Sequence, residues 1–339
     1  MRRPNTPTAV AITAVALVVV SVVALSVGRY PVPLWHVVGV VTSGAFGSDS
    51  VSDPERTVVI LVRLPRLLLA ILVGGGLGLA GAALQATFRN PLVSPEIIGV
   101  SAGASLGGAL ALLLGLGSIF LVGGAFVFGL SALALLFVLT LGRSGTPMLM
   151  VVLGGVVVGS FFSALVSLVT YVADPYTTLP AIVFWLLGSV ATATSTKVVI
   201  AAVPILAGAA VIMLLRWRLN VLSLGDEEAE SLGMNPSRMR WTILVATSLI
   251  VAGAVAVSGV IGWVGLVIPH LARMWVGPDH RVLLPVSFLA GAVYLVLIDS
   301  LARTMTAGEI PLGVLTAMIG APVFFLLLRG NRDRIWDHA

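Results

Sequence analysis

Cysteine is absent from the 339 residues, which excludes disulfides and thiolate metal sites and leaves the redox compartment open. Charge is nearly as scarce. Only 10% of residues are charged while 58% are hydrophobic, against about 25% charged in soluble domains. A soluble globular protein is excluded on composition alone. Segments alternating apolar and polar residues, which a membrane barrel needs, are missing too. The apolar runs are instead unbroken and reach the roughly 20 residues of a spanning helix. The fold class that follows is an all-α polytopic membrane protein, a single domain over residues 1–339.

Ten hydrophobic segments can be drawn, at about 8–28, 65–86, 96–115, 119–141, 148–171, 197–215, 241–258, 261–276, 283–301 and 312–329. The eighth is short and contains Pro269 and His270. Arg2 and Arg3 ahead of the first segment resemble the start of a signal peptide, but the run is long for one and reads better as a retained helix. With the N-terminus inside, thirteen of the 19 basic residues fall on the cytoplasmic side and six outside. That agrees with the positive-inside rule and gives an N-in, C-in orientation. Glycines at spacing four (Gly74 and Gly78; Gly99, Gly103 and Gly107; Gly155 and Gly159) predict either a tightly packed bundle or the lining of a path.

Several chemistries are missing. Lys197, the one lysine, follows SVATATST rather than G-x-x-x-x-G, so there is no phosphate-binding loop. His36, His270, His280 and His338 are scattered without metal-ligand spacing, and no G-x-S-x-G is present. Neither a catalytic constellation nor a cofactor site is expected. Intramembrane acids would point to an ion-coupled transporter, but Glu96, Asp299 and Glu309 all read as helix-end groups.

One stretch breaks the pattern. LGDEEAESLGMNPSRMR, residues 224–240, holds Asp226, Glu227, Glu228 and Glu230, four of the chain's 14 acids. At a membrane centre four acids would cost about 10–14 kcal/mol, so this stretch lies in water. Gly225 can end a turn and Asp226 can cap a short helix with Glu227 and Glu228 in its first turn. Ala229 and Leu232 would form an apolar edge, Gly233 would stop the helix, and Asn235-Pro236 reads as a turn or the start of a second short helix.

RLPRLLLAILVGGGLGLAGAALQATFRNPLVSPEIIGVSAGASLG (63–107), FWLLGS (184–189), LGDEEAESLG (224–233), GWVGLVIPHLARMWVGPDHRVLLPVS (262–287) and DSLARTMTAGEIPLGVLTAMIGAPVFFLLL (299–328) carry a resemblance. The chain resembles the membrane permeases of ATP-binding-cassette (ABC) importers for ferric siderophores, heme and cobalamin. The resemblance implies about ten helices per subunit in the bacterial inner membrane and a second permease, identical or paralogous. It also implies two separate ATPase subunits, which carry the ATP and magnesium, and an external substrate-binding protein. Residues from about 217 to 240, with Gly225, Asp226, Glu227, Glu228, Ala229, Leu232 and Gly233, would dock on the ATPase. The same likeness assigns Arg63, Arg66 and Arg303 to the binding protein, as docking charges that steer its approach; snorkelling to lipid headgroups is the other reading. Asn90 and Leu92 in RNPLVSP would form a cytoplasmic gate, or simply a turn. The family's second gate point does not transfer, since Pro147, Met148 and Leu149 stand there.

Ferric siderophore is the expected cargo, with heme or cobalamin as alternatives and an ion-coupled secondary transporter as the competing class. Ser101, Ser105, Ser160, Ser163 and Ser167 are the expected polar groups of an otherwise apolar path without fixed charge.

Overall fold

The computed structural model describes residues 6–28, 30–43, 53–140, 148–306 and 308–330. Arg2, Arg3, Arg29, Arg143, Pro147, Arg332, Arg334 and His338 lie outside them. The described residues are helical with connecting turns, in the order α1 (Thr6–Ser26), α2 (Leu34–Ser43), α3 (Asp53–Thr57), a π segment (Val58–Arg63), α4 (Leu64–Thr87), a 3-10 turn (Pro95–Ile98), α5 (Val100–Leu113), α6 (Ser118–Thr140) and α7 (Met148–Val172). There follow α8 (Thr178–Leu186), α9 (Ser195–Leu214), α10 (Arg216–Leu222), α11 (Asp226–Ser231), α12 (Pro236–Ser258), α13 (Val264–Val276), α14 (His280–Met305) and α15 (Leu312–Gly330).

Each of the ten hydrophobic segments contains one helix. Among the described residues, seven helical stretches are long and apolar enough to cross a membrane unaided, whereas α5, α13 and α15 are shorter apolar helices. One of the seven, Pro54–Thr87, runs continuously through α3, the π segment and α4. Helices α4, α12 and α14 are buried over most of their length; α1, α6, α7 and α9 are only about a quarter buried within the single chain. A helix that is apolar all round gains nothing from choosing a solvent face, so close backbone approach decides which helices are central.

Glycine provides that approach. A Cβ at Gly74 would run into the Gly291 carbonyl and one at Gly78 into the Ser287 carbonyl, fixing α4 against α14. Gly103 and Gly107 meet the Phe128 and Gly124 carbonyls in the same way, seating α5 on α6. Gly155 and Gly159 serve the 3-10 turn instead: a Cβ at Gly155 would strike the Ile97 carbonyl, and one at Gly159 would stand 3.6 Å from Gly99 Cα.

That turn departs from expectation. Residues 96–98, drawn as the start of a spanning segment, belong to a separate 3-10 turn that folds back among the helices and is capped by Gly99. Pro95 packs on Gly265, which abuts α4 at Leu77 and Gly81, about 9–15 Å from the Thr87 end at 1.5 Å per residue. Gly155 lies seven residues into α7, about 10 Å from its start. Non-helical backbone at such depth is tolerated only within protein or beside a water-filled cavity.

Candidate coupling and translocation sites

The acidic stretch folds as a short helix closed at both ends. Gly225, φ 151°, is the residue before α11. Asp226 is the first helical residue and makes no side-chain cap, which corrects the capping role expected of it. Its carboxylate is drawn instead to Arg240, by a short hydrogen bond, and to Arg89 at 4.0 Å. The Arg240 hydrogen bond, reinforced by the charges of both arginines, holds the Asp226 carboxyl below the usual carboxylate range.

At the other end the Gly233 N–H donates to Glu230 O at 2.9 Å and Met234 N–H to Ala229 O at 2.9 Å. This is a Schellman closure, with Gly233 in the left-handed region at φ 77°. Gly233 stops the helix, as its position predicts. Ala229 does not form an exposed edge: it is fully buried, while Leu232 is 65% exposed. Its methyl group is small enough to pack under the helix, which leaves Leu232 to be presented alone. Asn235 caps the next helix by accepting from Arg238 N–H at 2.9 Å, with Pro236 following it. That helix is the long α12, not a second short one.

Leu232, Trp217, Arg218, Met234 and Arg238 line a cleft of about 550 Å³ between α10 and the start of α12. Trp217 is 58% exposed. Sequence reasoning missed it, although an aromatic between two arginines (RWR) just past an apolar run was a readable signal.

The turn after α4 carries Arg89, Asn90 and Leu92. Asn90 Oδ1 accepts from Leu92 N–H at 2.9 Å, so its amide closes its own turn. Leu92 is exposed. Arg89 adopts φ 48°, a conformation that side chains resist, and from there reaches Asp226.

The three arginines expected on the outer surface are instead buried, only 5%, 7% and 8% exposed for Arg63, Arg66 and Arg303. Arg63 donates to Leu25 O at 2.5 Å, to Ser26 O at 3.0 Å and to Tyr30 O; Arg303 donates to Ala24 O. Together they satisfy the last carbonyls of α1, which has no basic residue in its own final turn. A Cβ at Gly28 would come within 2.7 Å of Arg63 Nη2, so glycine admits the guanidinium. Arg66 grips Asp299 through Nε at 2.8 Å and Nη2 at 2.7 Å, and Glu309 through Nη1 at 3.0 Å and Nη2 at 2.9 Å. The guanidiniums are therefore engaged within the chain and not presented outward. Asp299 and Glu309 are partners of Arg66, and Asp299 also stands 3.9 Å from Arg303; they are not helix-end caps, and each offsets buried positive charge. Lys197 lies in the first turn of α9 and donates to Thr192 Oγ1 at 2.8 Å.

Between the 3-10 turn, α5 and α7 opens a second cleft, of about 540 Å³, lined by Ser94, Glu96, Ser101, Ser105, Ser160, Ser163, Gly155 and Gly159 among others. Four of the five expected path serines meet here; Ser167, one turn further along α7, is not among the lining residues. The expectation of a lining without charge is corrected: Glu96 is exposed to this cleft. The 3-10 turn, not a spanning helix, carries it there.

The profile of the FecCD transport family matches residues 16–330. The chain belongs to the FecCD transport family. It is a multi-pass permease of the ABC importer class, in which ATP hydrolysis belongs to other subunits. Among relatives, a molybdate import system permease of Haemophilus influenzae is 43% identical, over 90% of each chain. A Helicobacter pylori protein described as a probable iron chelatin transport system permease is 40% identical over 88% of this chain and 90% of its own. A solved structure described as a metal-chelate type ABC transporter in an inward-facing conformation superposes with a TM-score of 0.87 at 41% identity, covering 96% of this chain and 99% of that one. Further relatives carry hemin, cobalamin and vitamin B12 in their names. Membership fixes the FecCD class and leaves the cargo to the chain's own residues.

Proposed function

We propose that this FecCD permease moves a metal chelate, ferric siderophore first among them, across a bacterial inner membrane into the cytoplasm. It works as one of two permease subunits above two ATPases, each binding ATP and magnesium, and beneath an external binding protein. All ten hydrophobic helices cross the membrane in an N-in, C-in arrangement, and residues 1–339 form one permease domain. The match to FecCD permeases over residues 16–330 carries this reading.

The stretch from about 217 to 240 is the ATPase dock. In its favour are the rigidly closed α11, its acids Glu227 and Glu228, and the exposed Leu232 and Trp217 around one cleft. A helix fixed at one end by Asp226 and at the other by Gly233 can pass on a push without bending. Asn90 and Leu92 gate the cytoplasmic end of the path, and Arg89 ties that turn to the dock. The binding protein settles on an outer surface shaped by Arg63, Arg66 and Arg303, which hold α1, α4 and α14 in register beneath it.

The test is co-expression with candidate ATPase and permease partners, purification through this chain, and ATPase measurement in lipid vesicles with and without binding protein and ferric siderophore. Co-purification with stimulated hydrolysis supports the reading. An isolated chain whose uptake follows an ion gradient would return it to the secondary transporters.

A further inference from the structure

Glu96 is a charged side chain at membrane depth without a partner of its own. Its neighbours on the 3-10 turn pack on Gly155, about 10 Å from the start of α7, and on Gly265, which abuts α4 about 9–15 Å from its Thr87 end. Among the described residues no hydrogen bond or ion pair meets its carboxylate. It is the one charged residue lining the 540 Å³ cleft, and hydroxyls of Ser94, Ser101, Ser160 and Ser163 share that lining. Against lipid, such a carboxylate would cost about 2.5–3.5 kcal/mol. Ionisable groups at this depth face a bundle interior or a water-filled cavity. The cleft opens on the exposed side of α7, and the carboxylate borders both it and Gly262, whose would-be Cβ lies 2.7 Å from Glu96 Oε1; by that rule the cleft is the water-filled side of the carboxylate.

We infer that Glu96 is a charge-selecting residue of the translocation path: it makes the hydroxyl-lined cleft favour cationic or neutral cargo with outward hydrogen-bond donors and disfavour oxyanions. The inference rests on the importer reading for its cargo and deepens it. Serine hydroxyls serve donors and acceptors alike, so they cannot discriminate by charge; one fixed carboxylate in a narrow, low-dielectric cleft can. A like chain facing this one would present a second carboxylate to the same path. The relatives' names divide between a molybdate dianion and metal chelates, and Glu96 places this chain with the chelates.

The chain has no cysteine, so single introduced cysteines report their own surroundings. In membranes containing the full chain co-expressed with its ATPase, Ser160→Cys is labelled with a trimethylammonium-ethyl and with a sulfonato-ethyl methanethiosulfonate. Gly117→Cys, in the exposed α5–α6 turn, is the reference thiol. The expected result is that Ser160→Cys reacts with both reagents, with a cation-to-anion rate ratio about fivefold or more above the reference. Adding Glu96→Gln, which keeps the side chain's size, returns the ratio to the reference value. Equal rates, a ratio untouched by Glu96→Gln, or no labelling of Ser160→Cys while Gly117→Cys reacts would each overturn the inference.

A second arm uses the reconstituted importer with its binding protein, comparing ATP-driven uptake of molybdate and of the cationic chelate ferrioxamine B. Preference for molybdate with Glu96 intact also overturns it. If neither is taken up in an ATP-dependent way while the labelling ratio holds, the siderophore reading fails and the charge selection stands.

Discussion

Arg89 and Asp226 stand 4.0 Å apart, joining the turn that ends α4 to the first residue of α11. Arg89 reaches across from a left-handed backbone conformation, φ 48°. Such a conformation costs a non-glycine residue about 1–3 kcal/mol, and an exposed ion pair returns about 0–1 kcal/mol. Strain therefore outweighs the pair, and the contact is not kept for stability alone. Arg89→Gly should leave thermal stability unchanged or raise it by about 1 kcal/mol, while the ratio of cargo moved to ATP hydrolysed falls. A drop in stability with unchanged coupling would remove the link.

The same carboxylate carries a pH dependence. Asp226 is held below the ordinary carboxylate range by Arg240 first and by Arg89. Its contribution is thus fully present above the unfolded-state value and is lost as pH falls through the lower folded value. Asp226→Asn should flatten that acid limb in a detergent unfolding series: the variant is less stable near neutrality and converges with the parent chain in acid, and the difference is small because the side chain is 43% exposed.

Gly233 lies at φ 77° with no heavy atom near a would-be Cβ. Gly233→Ala is then a purely conformational change, costing about 1 kcal/mol. It should loosen α11 locally, seen as faster amide exchange over 226–234, and lower coupling modestly. Gly233→Pro also removes the N–H that closes on Glu230; it and charge reversal at Glu227 and Glu228 should uncouple hydrolysis from transport.

Arg66 is the centre of the outer cluster. Arg66→Ala strands Asp299, itself 4% exposed, and removal of one partner of a buried pair costs about 3–5 kcal/mol. Thermal unfolding in detergent should show the loss. Arg66→Lys keeps the charge but not the forked geometry, so it should fall between the two. A near-neutral Arg66→Ala would mean that Asp299 is neutral or solvated in the folded protein.

Leu232 and Trp217 are solvent-facing in the isolated chain, so Leu232→Asp should not destabilise it. Retention of the ATPase through purification should drop sharply. Unaffected retention would shift the dock elsewhere on the cytoplasmic face.

The helices were legible because each is a long apolar run, and water–lipid partitioning acts on composition that a linear reading sees directly. The closure of α11 was legible in Gly233 and the start of α12 in Asn235-Pro236, since these act on the next few backbone groups. Glu96 was not: SPEIIG sits at the edge of an apolar run and reads as a helix start. Its depth depends on Gly155 and Gly265, 59 and 169 positions away. The arginines were half legible. Their position outside the expected cytoplasmic set marked them as unusual, but the acceptors of Arg63 and Arg303 are main-chain carbonyls, which no residue type announces.

Those carbonyls also set an order of events during synthesis. Ala24, Leu25 and Ser26 emerge early, yet Arg303 is made nearly 280 residues later. At translation speeds of about 5–20 residues per second, the end of α1 waits at least ten seconds or so for its last donor. Chains interrupted before α14 would carry a first helix held at its end by Arg63 alone, with the Ala24 carbonyl left without its donor, a mark by which a membrane protease could tell unfinished copies from complete ones.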